Sequence, residues 1–318
     1  MTPDRAGDIL RQIRERVSTV VTGQQQVIDQ ALLGVLARGH VLLEGVPGTA
    51  KTMLVRALSS ALGARFGRIQ FTADLMPADV TGVSIFRDAA KGFQFQPGPI
   101  FTDLLLADEI NRAPARTQAA LLEAMAERQV TVDGEARALG NLFTVFATQN
   151  PVEYEGTYPL PEAQLDRFLV KVVVPYPARD AELEMLARYD GGFDAEDSSK
   201  ILVEPVVDAA TCRQLRQVVE QVRTAIEVRE YVADLVRATR EDSTLTLGGS
   251  PRATVALFRV ARAAALLDGR DYVTPDDVKS SATPVLRHRV MMAAELEVEG
   301  RTADDAIASL LARVPAPK

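Results

Sequence analysis

Residues 44–52 carry the side chains best suited to bind a phosphate group. They read Glu-Gly-Val-Pro-Gly-Thr-Ala-Lys-Thr and lie between an apolar run, residues 41–43, and a helical run, residues 53–62. Strand, glycine-containing loop, Lys-Thr and helix is the layout of a phosphate-binding loop, in which backbone N–H groups and the helix dipole surround an anion. Lys51 then supplies a positive charge for the β- and γ-phosphates, and the Thr52 hydroxyl can bind Mg²⁺.

One position departs from the phosphate-loop pattern. Ala50 stands directly before Lys51, where the pattern has glycine. Alanine is the smallest residue after glycine, so we expect a helical backbone to accommodate it there. Taken without its context, the segment also fits an ordinary strand–turn–helix that carries a surface lysine.

Two carboxylates end a second predicted strand, residues 103–109, in which residues 104–107 are apolar. In a nucleotide hydrolase, an Asp at a strand end holds hydrated Mg²⁺, and a neighbouring Glu polarises a water towards the γ-phosphate. Asp108 and Glu109 fit these two roles. Without Glu109 the same fold could bind a nucleotide, but hydrolysis would lack its base. The alternative is a pair of solvated acids at the end of a strand.

A third apolar run, residues 142–148, ends close to Asn150. The amide of Asn150 can donate a hydrogen bond to a γ-phosphate or orient the attacking water, although asparagine is also common in turns before proline. Ligands of a parallel α/β sheet bind outside the carboxyl ends of its strands. We therefore expect Lys51, Asp108 with Glu109, and Asn150 to converge on one crevice.

Two arginines stand at element boundaries. Arg167 precedes a fourth apolar run, residues 169–174, and Arg252 opens a helix. A cation at a helix start opposes the helix dipole, which suggests a negatively charged partner such as a phosphate for Arg252. Judged from the residues alone, both arginines also fit ordinary surface ion pairs.

The order of these runs predicts the fold class. Apolar strands separated by helices predict an α/β protein with a parallel sheet covered on both faces, and residues 68–71 fit a further short strand. Alternating runs predict two hairpins, at residues 83–96 and 129–139, whereas residues 72–82 are expected to be irregular. After residue 177 the chain becomes helical. The helical runs there cover residues 178–190, 208–224, 227–240, 251–267, 275–290 and 302–314.

Composition restricts the class of protein. The 318-residue chain has a formal net charge of −7, which argues against general attraction to nucleic acid. It contains no apolar stretch near the ~20 residues of a membrane span, and its charged N-terminus lacks a signal peptide, so we expect a cytoplasmic protein. Cys212, His40 and His288 form no metal-ligand pattern and are given no function.

The motifs in combination resemble those of the AAA+ ATPases. The resemblance rests on residues 45–52, on Ala-Asp-Glu-Ile-Asn-Arg-Ala-Pro at 107–114 and on Ala-Thr-Gln-Asn-Pro at 147–151. The run Leu-Pro-Glu-Ala-Gln-Leu-Asp-Arg-Phe at 160–168 narrows it to the MoxR family, which also carries Ala before the lysine. The resemblance spans roughly residues 20–289.

The resemblance implies an α/β AAA+ P-loop core, residues 1–177, whose parallel sheet has the strand order 5-1-4-3-2 and which carries the two hairpins as insertions facing a pore or a client. A helical lid domain, residues 178–318, would follow, with a flexible connector at about 191–205. The residues implied in ATP and Mg²⁺ binding are Val21, Gly45, Val46, Pro47, Gly48, Thr49, Ala50, Lys51, Thr52 and Asp108, with Thr52 and Asp108 on the metal. Catalysis is implied for Glu109, Asn150 (sensor 1), Arg167 (offered to the neighbouring subunit) and Arg252 (sensor 2).

The implied function is ATP hydrolysis by a ring, usually a hexamer, that remodels, assembles or activates client proteins, often ones with von Willebrand factor A domains. ATP would lie between core and lid and between adjacent subunits, and hydrolysis would cause motion through a hinge near residues 174–177. A magnesium-chelatase-type motor subunit, a nucleic-acid-linked AAA+ motor and a catalytically silent nucleotide-binding scaffold are the alternatives.

Overall fold

The computed structural model describes residues 1–88, 92–150, 157–194, 197 and 201–317. The tip of the first predicted hairpin, the proline after Asn150 and parts of the polar connector lie outside these ranges. No helix in the described ranges combines the length and the apolar character that crossing a membrane would require.

Five parallel strands form the central sheet, in the order β2-β5-β8-β1-β9. They are β1 (Val41–Glu44), β2 (Phe66–Gln70), β5 (Leu104–Asp108), β8 (Thr144–Gln149) and β9 (Val170–Val173). Counted among themselves and read from the β9 edge, they give the order 5-1-4-3-2, as expected. Consecutive residues of these strands enter two different hydrophobic clusters, so both faces of the sheet are buried.

Four helices of the N-terminal half are α1 (Pro3–Ser18), α2 (Gln25–Leu36), α3 (Lys51–Ala61) and α5 (Ala115–Glu127). Helix α1 begins where the Thr2 side chain accepts the Arg5 N–H and Pro3 fills the first turn. Its buried residues Leu10, Ile13 and Val17 recur at helical spacing and join the cluster beneath the sheet.

Both predicted hairpins are confirmed. The first pairs β3 (Gly82–Asp88) with β4 (Gly92–Pro97), and the second pairs β6 (Gln129–Val132) with β7 (Glu135–Ala138). Asp133 and Gly134 both have positive φ, as the two-residue turn of the second hairpin requires. The irregular segment before the first hairpin contains an unpredicted helix, α4 (Pro77–Thr81). Proline at its first turn and the Asp79 carboxylate, which accepts the Met76 N–H, begin the helix here.

The remaining described helices are α6 (Glu162–Leu165), α7 (Arg179–Asp190), α8 (Ala209–Gln221), α9 (Ile226–Glu241), α10 (Pro251–Leu267), α11 (Pro275–Leu286), α12 (Ala294–Val298) and α13 (Ala303–Arg313). A short 3-10 turn, Ile110–Arg112, follows β5. The region expected to be all helical also contains a small antiparallel ribbon, β10 (Leu245–Leu247) with β11 (Met291–Met292). Strands of two or three residues are too short to show an alternating pattern, which is why the sequence did not predict them.

The C-terminal helices are joined to the sheet by a buried arginine. The Arg216 guanidinium on α8 donates to the carbonyls of Val35 (2.8 Å) and Asn141 (2.6 Å) and to the Thr144 hydroxyl (2.9 Å). Burial lowers its pKa to about 10. One hydrophobic cluster includes residues from both α1–α3 and α8–α11. The division of the chain at residue 177 stays a prediction.

His40 precedes β1 and is held as a neutral imidazole. Its Nδ1 accepts the Val145 N–H at 2.9 Å, so the proton resides on Nε2, which donates to the Met125 carbonyl at 3.1 Å. Burial, assisted by the positive charge of Arg128, lowers the pKa of His40 to about 3. A second proton would have to enter a site where Nδ1 already faces an N–H donor.

We expect acid to destabilise the fold partly through His40. Its folded-state pKa lies below the unfolded value of 6.5, so its contribution to stability is complete above pH 6.5 and is lost as pH falls towards 3. Between pH 6.5 and 4 the loss should be roughly 3 kcal/mol. Urea unfolding across this range should show a shallower pH slope for His40→Gln than for wild type. Equal slopes would contradict the neutral-imidazole assignment.

Candidate active site

The phosphate loop joins β1 to α3 and is bound to its own lysine. The Lys51 ammonium donates to the carbonyls of Gly45 (2.8 Å) and Val46 (2.7 Å), and the Thr49 hydroxyl donates to Val46 at 2.9 Å. Burial lowers the pKa of Lys51, while the nearby carboxylates of Asp108 and Glu109 raise it. The ammonium therefore lies at the loop with a negative counter-charge close by.

Ala50 corrects one expectation. Its backbone is left-handed, with φ 61° and ψ 19°, and it caps α3 rather than continuing a right-handed helix. Gly48, two residues earlier, also has positive φ. The left-handed region disfavours a Cβ, so small size is not enough to explain Ala at position 50. The position carries local backbone strain next to Lys51, of the kind found at ligand-binding loops.

Asp108 is fixed by two neighbouring strands. Its Oδ1 accepts the Thr148 hydroxyl at 2.7 Å, and its Oδ2 forms an ion pair with Arg68 at 2.7 Å. The Thr148 oxygen in turn accepts the Glu109 N–H at 2.8 Å. The aligned ends of β2, β5 and β8 thus set the orientation of both acids.

The carboxylate of Glu109 is bonded to two neighbouring side chains. Gln70 on β2 donates its amide N–H to the carboxylate of Glu109 at 2.7 Å, and Arg112 forms an ion pair with the same oxygen at 3.2 Å. The backbone of Glu109 is left-handed, with φ 55°. This conformation turns the chain directly after the Asp108 strand end and separates the side-chain directions of the two acids.

The residues predicted at three strand ends line one cavity of about 540 Å³. Its lining includes Pro47, Gly48, Thr49, Ala50, Lys51, Thr52, Asp108, Glu109 and Asn150. A smaller, mainly apolar cavity shares six lining residues with it, which are Gly48, Thr49, Ala50, Met53, Met185 and Tyr189. Val21 lines this second cavity together with Met53 and Tyr189. A polar cavity beside an apolar one suits a ligand with a charged tail and a flat apolar end.

Sequence reasoning missed Arg68, Gln70 and Thr148. Arg68 and Gln70 are two residues apart on β2, so both side chains lie on one side of the strand, next to the end of β5. The alternation of polar residues in an otherwise short strand was the available signal. Thr148 was part of the third apolar run, where a lone hydroxyl gave no reason to suspect a role.

The oxygens of Thr52 and Asp108 suit a hard cation such as Mg²⁺, since a hydroxyl and a carboxylate border the same polar cavity. Both Asp108 oxygens already accept hydrogen bonds, from Thr148 and Arg68, which fix the carboxylate in place. Within the described ranges, no group of three or more His, Cys, Asp and Glu side chains could enclose a metal by itself. A Mg²⁺ ion here would therefore depend on water and on a bound phosphate.

Arg167 and Arg252 line a different cavity, of about 570 Å³. Arg167 donates to the Leu122 carbonyl, and the Arg252 guanidinium, whose side chain is 76% exposed, lies 3.9 Å from Asp166. His40 and Gly39, which lead into β1, also line this cavity. It therefore lies at the amino edge of the sheet, whereas the Lys51 cavity lies at the carboxyl edge.

The carboxyl-edge cavities are lined by residues of the predicted core together with Met185 and Tyr189 of α7, so both sides of residue 177 contribute to them. Arg252 of the same chain lies in the other cavity. A strand rises about 3.3 Å per residue, so β1 alone separates the two edges by roughly 10 Å. Among the described lining residues, none belongs to both cavities. The structure brings Lys51, Thr52, Asp108, Glu109 and Asn150 together, and it brings Arg167 to Arg252, but it does not bring the two sets to each other.

Other arginines of this cavity have structural partners. Arg128 donates to the Arg38 carbonyl at 2.7 Å and Arg259 donates to that of Ala37, so both cap the C-terminal end of α2. Arg38 itself forms an ion pair with Glu220 at 2.8 Å. Arg167, by contrast, donates to the Leu122 carbonyl within α5, and Arg252 is largely exposed and pairs with Asp166 only at 3.9 Å.

Comparisons with known proteins find matches across nearly the whole chain. Residues 40–170 match the model of the ATPase family associated with various cellular activities, and residues 237–310 match that of the AAA lid domain. Relatives include YeaC of Bacillus subtilis, 46% identical over 95% of this chain and 93% of the relative, and Chaperone MoxR1 of Mycobacterium tuberculosis, 42% identical over 87% and 74%. A solved structure of a Cytophaga hutchinsonii protein described as an ATPase superposes with a TM-score of 0.90 at 38% identity, covering 99% of this chain and 96% of that one.

Two variants should separate nucleotide binding from turnover. Lys51→Ala removes the charge at the loop, so ATP affinity should fall below detection. Glu109→Gln keeps a similar shape but cannot accept a proton, so ATP should still bind while hydrolysis falls about 10²–10⁴-fold. Fluorescent-nucleotide titration and phosphate release measure the two effects, with Glu123→Gln, an exposed glutamate on α5, as control. Normal turnover by Glu109→Gln would exclude Glu109 as the base.

Proposed function

This chain belongs to the MoxR family of AAA+ ATPases, and from that premise we propose that it hydrolyses ATP as a ring whose sites lie between subunits. The observation that carries the proposal is the placement of the phosphate-binding cavity and of the Arg167–Arg252 cavity at opposite edges of one sheet. Each chain thus offers both halves of a site without being able to join them. A ring of identical chains, six in number in our proposal, joins each half to the complementary half of a neighbour.

ATP fits the carboxyl-edge cavities with its triphosphate over the loop and its base in the apolar part beside Val21. Lys51 then leaves the carbonyls of Gly45 and Val46 for the β- and γ-phosphates. Thr52 and Asp108 would hold Mg²⁺, which neutralises phosphate charge when bound. Asn150 lies in the same cavity and would orient the attacking water.

The chemical step is the attack of a water oxygen on the γ-phosphorus, with cleavage of its bond to the ADP oxygen. Glu109 accepts the proton of that water. Gln70 and Arg112 both bond to one oxygen of the Glu109 carboxylate in this structure, and the second oxygen can accept the proton while these contacts hold the side chain in place. Arg167 and Arg252 of the adjacent subunit would stabilise the charge of the transition state, as arginine fingers do.

Mixing two inactive variants tests the shared site. Arg167→Ala leaves the phosphate-binding cavity intact but should lower turnover about 10³-fold or more, because the neighbour lacks its arginine. Glu109→Gln lacks the base but keeps the arginine face. Mixed rings contain interfaces with one intact half from each variant, so phosphate release should greatly exceed the sum of the separate rates. A strictly additive rate at ring-forming concentration would refute the shared site.

We further propose that hydrolysis remodels, assembles or activates a client protein, and that proteins with von Willebrand factor A domains are suitable clients. One relative is named a chaperone, which supports this class of function. The β3–β4 hairpin presents two opposed aromatic rings, Phe86 and Phe93, that are 57% and 75% exposed and 5.4 Å apart. Exposed aromatic rings that face each other on a hairpin offer apolar contact area to a partner, because they are not buried in the core.

The client surface can be tested by capture. Glu109→Gln loaded with ATP should retain a client that a Phe86→Ser, Phe93→Ser derivative releases, because the derivative loses apolar contact but no part of the ATP site. Val298→Ser removes a 90% exposed side chain on α12 and serves as the matched control. Affinity purification followed by mass spectrometry measures the difference. Equal capture by the derivative would remove the hairpin from the client surface.

The alternatives have less support. A chloroplast magnesium-chelatase subunit of Arabidopsis thaliana is 29% identical over 83% of this chain and 59% of its own length, which leaves a chelatase-type motor as the second candidate. A nucleic-acid motor needs a run of cations, yet Arg137 of the second hairpin pairs with Glu135 at 2.6 Å and stacks over Phe95. The one cation of this hairpin is therefore engaged within the protein.

A further inference from the structure

The turn that carries Arg167 is bonded to one buried arginine, Arg289, which follows α11. Arg289, whose side chain is 3% exposed, places its Nε 2.7 Å from a carboxylate oxygen of Asp166. Its two terminal nitrogens donate to the carbonyls of Leu169 (3.0 Å), Asp166 (3.3 Å) and Phe168. A single guanidinium thus bonds the residue before Arg167 and the two residues after it.

The neighbouring histidine strengthens the same attachment. His288 is buried, and its Nε2 lies 2.9 Å from the Phe168 carbonyl, to which it donates. Burial and the charge of Arg289 lower the pKa of His288 well below 6.5, so the ring is neutral. The Phe168 carbonyl therefore accepts from two consecutive side chains of one segment.

Asp166 connects this attachment to the second arginine of the cavity. One of its carboxylate oxygens faces Arg289 and the other faces Arg252 at 3.9 Å. Arg252 opens α10, whose residues Leu257 and Val260 share a hydrophobic cluster with Val278 and Val285 of α11, the helix that leads to Arg289. The positions of Arg167 and Arg252 therefore both depend on the carboxylate of Asp166 and on the buried guanidinium of Arg289.

We propose that Arg289 is a positioning residue for ATP hydrolysis in the adjacent subunit: through Asp166 and the carbonyls of the turn, it fixes how Arg167 and Arg252 are presented to that subunit's nucleotide. The inference rests on the proposed shared site. Lysine retains the charge of Arg289 but offers a point charge instead of a planar fork of donors, so it cannot hold three carbonyls and a carboxylate together.

A matched control lies two residues away. Arg287 follows the same helix and is also largely buried, and its fork binds the carboxylate of Asp304 at 3.0 and 2.6 Å. These bonds join it to α13 and not to the Arg167 turn. Arg287→Lys therefore imposes the same chemical change at a similar depth without touching Asp166.

The experiment places Arg289→Lys on one or the other partner of the complementing mixture. In the first mixture it is added to the Glu109→Gln chain, which donates the arginine face. In the second it is added to the Arg167→Ala chain, which supplies only the nucleotide cavity. Displacing a catalytic group by about 1 Å costs about 10²-fold in rate. We expect phosphate release to fall 10- to 100-fold in the first mixture and to stay unchanged in the second.

The two mixtures distinguish a positioning role of Arg289 from a defect in folding or assembly. Full activity in the second mixture shows that the Arg289→Lys chain folds, binds ATP and assembles, so loss in the first mixture alone supports positioning. Equal loss in both mixtures, or loss in neither, overturns it, as does an equal loss with Arg287→Lys on the donor. If the parent mixture of Glu109→Gln and Arg167→Ala shows no complementation, the shared site itself fails, and the proposal for Arg289 fails with it.

Discussion

All strands of the central sheet run in one direction, and this constraint decides at which edge of the sheet the charged groups of the two cavities lie. Parallel alignment places the ends of β1, β5 and β8 at one edge, with Leu43 opposite Thr148 and Ala107 opposite Ala147. The phosphate loop, Asp108 and Glu109 follow from that edge. The starts of β1 and β9 lie at the other edge, with Arg167 and Arg252 beside them. One sheet therefore separates the groups that we propose to bind phosphate from the arginines that we propose to complete the site.

Three largely buried arginines bond mainly to backbone carbonyl oxygens. Arg216 donates to Val35 and Asn141, Arg259 to Ala37, and Arg289 to Phe168 and Leu169. Desolvation lowers the pKa of all three. Carbonyls at helix ends and before strands carry partial negative charge that would otherwise lack partners, so each buried guanidinium satisfies several acceptors at once. These contacts join the C-terminal helices to the sheet.

The sequence was enough to predict the sheet, both hairpins and most helix bounds, because apolar runs and turn residues are local signals. It also predicted that Lys51, Asp108 and Asn150 would meet, since strand ends in a parallel sheet share one edge. It failed where a contact depends on neighbours distant in the chain. Gln70 meets Glu109 only after β2 pairs with β5, and the left-handed backbone of Ala50 depends on the path of the loop. The position of Arg252 relative to Lys51 required the whole topology.

The contacts of Arg289 connect the Arg167 turn to the central sheet. If ATP in one subunit draws Arg167 and Arg252 of the next, the force acts on Asp166, and through Arg289 on the segment that follows α11. The same guanidinium bonds Leu169, directly before β9, and β9 pairs with β1. Strand β1 ends at the phosphate loop. A continuous set of contacts therefore leads from Arg289 along β9 and β1 to the phosphate loop of the same chain. The hinge expected at residues 174–177 directly follows β9, next to this set of contacts.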